Sequence, residues 1–132
     1  MGEWEKEIGG INLFVEDLDQ VKRFYQDIFD MTPVHEEAGD VAMFRFKNTM
    51  IFLNSAAGAD KLIAPAQVGP PGAGPRAEYV IIVDDIDAVC AEIEKKGVVL
   101  VNGPEDRPWG MRTAAFSDPG GHFWELAQEL PD

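Results

Sequence analysis

The acidic residue Glu125 lies inside the apolar run that follows the polar turn at residues 117–121. Its neighbours Phe123, Trp124 and Leu126 are all large and apolar. Burying a carboxylate in such a run without a partner costs on the order of several kcal/mol. A carboxylate in a partly dry site can bind a cation or a metal ion, or it can accept a proton as a general base. The pattern therefore indicates a functional role for Glu125.

The cysteine and the histidines offer less chemistry. Cys90 is the single cysteine and lies on the apolar face of a predicted helix, which favours a structural thiol over a catalytic one. His122 directly follows two glycines. It is three residues from Glu125, and residues an odd number apart on a strand point to opposite faces of the sheet, so the two side chains are expected on opposite faces. His35 is expected to be an ordinary, partly exposed histidine on a short strand.

Composition and charge limit the classes of function. The 132 residues suffice for one domain with a core, and no apolar run approaches the roughly 20 residues that span a bilayer. Lys and Arg number 11 and Asp and Glu number 24, a net charge of −13. This charge repels phosphate backbones and anionic lipids, so neither nucleic acid nor a membrane is an expected partner. The acidic N-terminus lacks the apolar part of a signal peptide, and a single cysteine fits a reducing compartment, so a cytoplasmic location is expected.

The elements that would position Glu125 occur twice in the chain. Residues 11–21, INLFVEDLDQV, align with residues 79–89, YVIIVDDIDAV, at an offset of 68. Each copy predicts a strand followed by a helix, with Asp17 or Asp85 as the N-cap. Apolar residues at helical spacing follow both caps, namely Val21, Phe24, Tyr25 and Ile28 in the first copy and Ile86, Val89, Cys90 and Ile93 in the second.

Short strand-like runs follow each helix and complete two β-α-β-β-β modules. These runs cover residues 32–36, 41–47 and 49–54 in the first module and residues 98–102, 111–117 and 122–128 in the second. The modules span 8–55 and 78–129 of a single domain, residues 1–132. Segment 56–77 between them is rich in Ala, Gly and Pro, which predicts a linker that could double as a lid over a site.

This organisation resembles the vicinal oxygen chelate superfamily, which includes glyoxalase I, the bleomycin and fosfomycin resistance proteins and the extradiol dioxygenases. The motifs that carry the resemblance are FVEDLDQVKRFYQDIFDM at 14–31 and FSDPGGHFWELAQ at 116–128, and the resemblance covers roughly residues 8–129. It implies an α+β glyoxalase/bleomycin resistance fold, in which two tandem βαβββ modules form a cup-shaped mixed sheet around a ligand cavity. It also implies a homodimer, which symmetry favours in general.

The resemblance implies four metal-ligand positions, one at the start of each module's first strand and one on each module's last strand. Counting seven residues back from each capping aspartate gives Gly10 and Glu78. Matching MIFLNS with HFWELA places Phe52 opposite Glu125. Glycine has no side chain and a phenyl ring cannot ligate a metal, so the first module has lost both of its ligands.

Only Glu78 and Glu125 remain to bind a metal, whereas a catalytic divalent ion normally takes three or more protein donors. No cofactor is therefore expected. A divalent metal completed by the side-chain carbonyl of Asn12 or Asn54 and by water stays open as an alternative.

Two nearby carboxylates without a metal raise each other's pKa or attract a cation. The bleomycin resistance proteins resemble this arrangement, since they are acidic, lack the metal ligands and bind a large cationic drug. We therefore expect a metal-free protein that binds a small cationic or aromatic molecule in an acidic and apolar cup. Trp109 could stack on the ligand, and Arg112 could pair with a cup carboxylate or with a carboxylate of the ligand. The residues expected to line this cup are Asn12, Phe14, Phe52, Asn54, Glu78, Val80, Trp109, Arg112, Phe123 and Glu125.

Two other functions stay open. A glyoxalase-like lyase or isomerase, with or without a divalent metal, would use Glu125 or Glu78 as the general base for a proton next to a carbonyl. An accessory module would bind a metabolite or a protein partner and would have no chemistry of its own. Trp109 could equally be a packed loop anchor, and Arg112 an ordinary surface arginine.

Overall fold

The computed structural model describes residues 6–75 and 77–132, except for the side chains of Asp60 and Pro71. The first five residues of the N-terminal segment and residue 76 of the predicted linker lie outside these described residues. The chain divides into two compact units, of which the first contains residues 6–26 and 30–68 and the second contains residues 27–29, 69–75 and 77–132.

The first unit is built on a β-α-β-β-β module. Its elements are β1 (Ile11–Val15), α1 (Leu18–Ile28, with its last two residues in the second unit), β2 (His35–Glu37), β3 (Val41–Arg45) and β4 (Met50–Ser55), followed by α2 (Ala56–Ile63). The strands form a sheet in the order β1-β4-β3-β2, in which β1 and β4 are parallel and the other neighbours are antiparallel.

The second unit repeats this arrangement. Its elements are a single 3₁₀ turn (Pro71–Ala73), β5 (Glu78–Ile82), α3 (Ile86–Lys95), β6 (Asn102–Asp106), β7 (Met111–Ser117) and β8 (Phe123–Glu129). The sheet order is β5-β8-β7-β6, again with the first and last strands of the module parallel. Two mixed sheets, each with its own helix, confirm the predicted α+β class and the tandem modules.

Both helices begin where the paired aspartates predict. The Asp17 carboxylate accepts a hydrogen bond from the N–H of Gln20, and the Asp85 carboxylate accepts one from the N–H of Ala88, each at 3.1 Å. Each bond satisfies a donor of the first turn that has no partner within the helix. Gly97, whose φ is +98°, follows the end of α3 in the left-handed conformation that favours glycine.

Each sheet has one face covered by its module's helix. In the first unit Leu13 and Val15 are buried on this face, and the ring of Tyr25 from α1 lies 5.3 Å from that of Phe44 on β3. In the second unit the face that α3 covers includes the residues Ala114, Phe116, Trp124 and Leu126, and Cys90 is buried on the helix itself. The predicted core position of Cys90 is confirmed.

The prediction of a strand at 98–102 is wrong, because the strand lies at Asn102–Asp106. β6 and β7 form a hairpin with its turn at residues 107–110, in which Asp106 pairs with Arg112. Because the turn is this short, the residues that pair with β7 are 102–106. Val98 is buried just after α3, whereas Val99 is 83% exposed, so the apolar run is a connection and not a strand. β2 is also shorter than predicted and begins at residue 35.

The segment between the modules contains a helix that its composition did not indicate. Residues 56–63 form α2, which packs against β4 and β1, and Ala59 is buried. Among the described residues of the proline-rich part that follows, the 3₁₀ turn is the one regular element. A lid function for residues 56–77 stays a prediction. None of the helices in the described ranges is long and apolar enough to cross a lipid bilayer.

Candidate functional site

The two parallel strand pairs have the same register, which supports the predicted equivalence of Phe52 and Glu125. In the first unit Leu13 pairs with Leu53, the residue after Phe52. In the second unit Ile81 pairs with Leu126, the residue after Glu125. Because partners in a parallel pair share a face, Phe52 and Glu125 both lie on the face of their sheet opposite the module's helix.

The structure brings Glu78 and Glu125 together on the face of the second sheet opposite α3. Glu78 begins β5 and pairs with Phe123, two residues before Glu125 on β8. Partial burial, the negative charge of Glu78 and a hydrogen bond to Glu78 all raise the pKa of Glu125, in that order of importance. The predicted acidic pair is thus present, and its repulsion favours either a proton or an added cation between the two carboxylates.

The corresponding positions of the first unit are filled by a ring. A Cβ atom placed on Gly10 would overlap the ring of Phe52, so a side chain at residue 10 and the observed position of Phe52 exclude each other. The two positions that Glu78 and Glu125 occupy in the second unit are therefore occupied by Gly10 and Phe52 in the first. Neither offers a donor atom to a metal.

The side chains do not fit the four-ligand metal site that the family resemblance implies. Two of the four positions, Gly10 and Phe52, lack donors, and Glu78 and Glu125 alone fall short of the three protein ligands of a catalytic divalent ion. Within the described part of the chain, no group of three or more His, Cys, Asp or Glu side chains is placed to hold a metal.

Apolar side chains surround the acidic pair. Val80 and Ile82 follow Glu78 at every second position of β5 and are 54% and 67% exposed. Phe123 stands on the same face of β8 and is half-buried. Exposed branched side chains on a strand beside two carboxylates give this face both apolar and acidic surface, which together suit a cationic organic ligand.

Arg107 is a site residue that the sequence analysis missed. Its Nε donates to Oγ1 of Thr113 at 2.8 Å, and its Nη2 lies 2.9 Å from a carboxylate oxygen of Glu105. Its positive charge lowers the pKa of Glu125 and so opposes part of the effect of Glu78. The β7–β8 pairing places Thr113 on the same face as Glu125, and the hydrogen bond to Thr113 brings Arg107 to that face. The register of that pairing is not visible in the sequence.

The guanidinium of Arg107 also lies over the indole ring of Trp109, 5.8 Å from the ring centre. Trp109 is nevertheless 65% exposed. A cation–π contact of this kind holds the indole in one orientation while leaving much of its surface accessible. The predicted stacking role of Trp109 stays a prediction, and the structure adds the residue that positions it.

Arg112 pairs with neither Glu78 nor Glu125, so the predicted pairing with a cup carboxylate is wrong, whereas the alternative of a surface arginine agrees with the structure. It pairs with Gln128 in the β7–β8 ladder and therefore lies on the face that α3 covers. Its guanidinium is 2.6 Å from a carboxylate oxygen of Asp106 and 3.0 Å from one of Asp87 on α3. These two partners raise the pKa of Arg112. The prediction failed because strand parity places alternate residues of β7 on opposite faces.

Asp118 organises the turn that precedes β8 and was not singled out in the sequence. The buried carboxylate accepts hydrogen bonds from the N–H groups of Gly120 at 2.9 Å and His122 at 3.1 Å, and from Nε1 of Trp124 at 3.3 Å. Nδ1 of His122 lies 3.3 Å from the same carboxylate, which agrees with the predicted turn role of this histidine. Asp118 thereby fixes the turn that leads into β8, the strand that carries Glu125.

The remaining predicted site residues lie in the first unit, on the face of its sheet opposite α1. Nδ2 of Asn54 donates to Oδ1 of Asn12 at 2.9 Å, and Phe14 pairs with Asn54 in the strand ladder. Asn12, Phe52 and Asn54 line a cavity of about 280 Å³ together with residues of α2. His35, in contrast, is exposed on β2 and lies 3.5 Å from Glu37.

Comparisons with known proteins agree with this architecture. The solved structure of a glyoxalase/bleomycin resistance protein/dioxygenase from Nocardioides superposes with a TM-score of 0.86 at 21% identity, over 98% of this chain and 87% of that chain. TnmS3, an antibiotic-binding protein from Streptomyces sp. CB03234, superposes with a TM-score of 0.73 at 26% identity, over 97% and 99% of the two chains. The uncharacterised protein YraH of Bacillus subtilis (strain 168) is 27% identical over 125 residues, which are 91% of this chain and 96% of YraH.

The sequence profile of the Glyoxalase/Bleomycin resistance protein/Dioxygenase superfamily matches residues 7–126, almost the whole chain. Together with the two β-α-β-β-β modules, this match confirms the fold and the family that the sequence motifs predict. The chain belongs to the Glyoxalase/Bleomycin resistance protein/Dioxygenase superfamily.

Proposed function

We propose that this protein is a metal-free binding protein for a small cationic molecule with an aromatic or apolar body. The observation that carries the proposal is the pair of carboxylates, Glu78 and Glu125, on the face of the second sheet opposite α3. Burial and the neighbouring charge of Glu78 raise the pKa of Glu125, so the ionised pair is unfavourable when nothing lies beside it. A ligand cation relieves this repulsion and gains charge-assisted hydrogen bonds.

The surroundings of the pair favour an organic cation over a metal ion. A divalent metal needs more donors than two carboxylates supply, and the equivalent positions of the first unit are Gly10 and Phe52. An organic cation needs fewer charged contacts and gains from apolar area, which the exposed side chains of Val80 and Ile82 provide. The similarity to the antibiotic-binding TnmS3 supports a binding role, and the net charge of −13 favours the approach of cations.

Benzamidinium is a suitable probe, because it joins a planar cation to a phenyl ring. Calorimetric titration should detect saturable binding to the native protein, whereas benzoate, which has a similar shape and a negative charge, should not bind at the pair. Replacing Glu125 or Glu78 by Gln should each weaken benzamidinium binding, since removing one partner of a charge-assisted hydrogen bond costs about 1.5–3 kcal/mol. That cost corresponds to roughly a tenfold to 150-fold rise in Kd.

Two variants control for the acidity of the whole chain and for charge changes on the other face of the second sheet. Glu94→Gln removes the same single charge from α3 and should leave the Kd of benzamidinium nearly unchanged. Arg112→Gln should also have little effect, because this side chain pairs with Asp87 and Asp106 on the other face. Equal weakening by Glu94→Gln and Glu125→Gln would show that benzamidinium senses only net charge and would overturn the proposal.

A second candidate function is proton transfer next to a carbonyl, as in a lyase or isomerase of the glyoxalase type. The observation that favours it is the raised pKa of Glu125, because a general base is most effective when its pKa approaches the working pH. Deuterium incorporation next to the carbonyl of test ketones and thioesters would measure this activity. Glu125→Gln should abolish any incorporation that the native protein catalyses, and an unchanged rate in this variant would exclude Glu125 as the base.

We also propose that the protein forms a homodimer and lies in the cytoplasm. They rest on the family resemblance, on the general preference for two-fold symmetry and on the single buried cysteine. Sedimentation equilibrium of the full chain tests the dimer, and a monomer across the accessible concentration range would contradict it.

A further inference from the structure

The guanidinium of Arg107 is held in one orientation by side chains of β6 and β7. Its Nε donates to Oγ1 of Thr113 at 2.8 Å, and its Nη2 lies 2.9 Å from a carboxylate oxygen of Glu105. The same Nη2 donates to Oδ1 of Asn102 at 3.4 Å. The backbone is also fixed, because the N–H of Arg107 donates to the carbonyl of Met111 at 2.7 Å. Since a guanidinium is planar and rigid, these partners also determine the position of its third nitrogen, Nη1.

A bulge in β6 brings the partners of this guanidinium to one face of the second sheet. Asn102 pairs with Ala115 on β7, and the register shifts before Glu105 pairs with Thr113. Residues three apart on a regular strand point to opposite faces, but the extra residue of the bulge places Asn102 and Glu105 on the same face. At Gly103, inside the bulge, φ is +79° and a Cβ atom would overlap the carbonyl oxygen of Thr113. The bulge therefore requires glycine at this residue.

Nη1 is the part of the Arg107 guanidinium that can bind a ligand. It carries two N–H donors, and no group in the described part of the chain accepts a hydrogen bond from either of them. The side chain of Arg107 is 27% exposed, so Nη1 is a partly desolvated donor that a ligand can reach. A charged donor of this kind forms a strong hydrogen bond with an oxygen acceptor.

The carboxylate of Glu125 lies on the same face of the second sheet as the residue that anchors this guanidinium. Thr113 pairs with Ala127, two residues after Glu125, so Thr113 and Glu125 are diagonal neighbours in the β7–β8 ladder. Diagonal neighbours are about 7–8 Å apart, which is close to the span of a substituted phenyl ring. Within residues 77–132, Arg107 and Glu125 form no ion pair, yet the positive charge of Arg107 lowers the pKa of Glu125. The two groups are therefore close enough to contact opposite ends of one small ligand.

The charges in this part of the second unit favour a neutral acceptor on the ligand. Glu105 already balances the charge of Arg107, and the acidic pair adds further negative charge, so a carboxylate on the ligand would be repelled. A carbonyl oxygen accepts a hydrogen bond from Nη1 without adding charge. We propose, as an extension that rests on the proposed function, that the cationic ligand carries a carbonyl oxygen about one phenyl ring away from its cation. Arg107 is then the residue that selects ligands with this carbonyl.

The probe is 4-carbamoylbenzamidinium, which is benzamidinium with a carboxamide opposite the cation. Calorimetric titration of the full chain should give it a Kd about three- to tenfold lower than that of benzamidinium, the gain expected from one hydrogen bond. Arg107→Met retains a long side chain without donors, so the two cations should bind this variant equally well. Because the variant also removes a positive charge near Glu125, its affinity for benzamidinium should not fall. Arg112→Met removes the same charge from the other face and, as the matched control, should retain the difference between the two cations.

The comparison of the two cations in the native protein needs no variant. If 4-carbamoylbenzamidinium binds no more tightly than benzamidinium, the inference about Arg107 is wrong, while the binding of cations at the acidic pair stands. A difference that persists in Arg107→Met would show that another donor binds the carbonyl, and it would also overturn the inference. If neither cation binds the native protein, the proposed function fails, and the inference that rests on it fails too.

Discussion

Gly10 and Phe52 offer a direct test of how the first unit differs from the second. A Cβ atom on Gly10 would overlap the ring of Phe52, so Gly10→Ala forces the ring to move from its position beside β1. Gly9 is the matched control, because a Cβ atom at that residue meets no other atom within 4 Å. Neither glycine has a positive φ, so alanine is compatible with the backbone at both positions.

The expected magnitude follows from two opposing effects. Replacing Gly by Ala reduces the entropy of the unfolded chain, which adds about 0.4–1 kcal/mol to the free energy of unfolding. Gly9→Ala should show this gain alone. At Gly10 the overlap with the ring costs about 1–3 kcal/mol, as in other overpacked sites. We expect a value near the low end, because Phe52 is half-buried and its ring can turn towards solvent. Gly10→Ala should therefore be about 1–2 kcal/mol less stable than Gly9→Ala.

Urea unfolding of Gly10→Ala, Phe52→Ala and the double variant completes a thermodynamic cycle. If the ring causes the loss, Gly10→Ala should cost nothing in the Phe52→Ala background, and the coupling energy should be about 1 kcal/mol or more. A loss of the same size in both backgrounds would refute the reasoning. So would a Gly10→Ala variant as stable as Gly9→Ala.

Two further predictions concern the second unit. Burial and the charge of Glu78 raise the pKa of Glu125 in the folded state above its unfolded value. The contribution of Glu125 to stability is therefore present below its ordinary pKa of 4.5, and it is lost as the pH rises through the folded pKa. Glu125→Gln should thus be more stable than the native protein at neutral pH, with a Tm difference that closes in acid, and a pH-independent difference would contradict this. Asp118→Ala should lower the free energy of unfolding in urea by about 3 kcal/mol, since it leaves the indole N–H of Trp124 and two backbone N–H groups without their acceptor. Asp118→Asn retains an acceptor oxygen and should cost less, and an equal loss in both variants would show that the charge itself matters.

The repeated strand and helix could be predicted because both copies carry the same local signals. The capping aspartates Asp17 and Asp85 and the apolar spacing after them act within a few residues, so they can be read without knowledge of the rest of the chain. The equivalence of Phe52 and Glu125 followed from the same repeat, and the strand registers support it. These features depend on local sequence and on internal symmetry.

The features that the sequence analysis missed depend on which strands pair and in which register. Arg107 and Arg112 look alike in the sequence, but the β7–β8 pairing places Arg112 on the face that α3 covers, and the hydrogen bond to Thr113 brings Arg107 to the other face. The helix α2 was missed because Ala, Gly and Asp residues give no apolar periodicity. The role of Asp118 in the turn could have been predicted from the sequence, because an aspartate before Pro-Gly is typical of turns in which the side chain accepts backbone hydrogen bonds.

The most direct test of the acidic pair is to follow the side-chain carboxyl carbon of Glu125 by NMR as the pH changes. The free protein should show a pKa above the ordinary value for glutamate, and Glu78→Gln should lower it. Saturating benzamidinium should also lower the pKa of Glu125, because a bound cation favours the ionised carboxylate. A pKa at or below the ordinary value in the free protein, or one that benzamidinium leaves unchanged, would contradict the account.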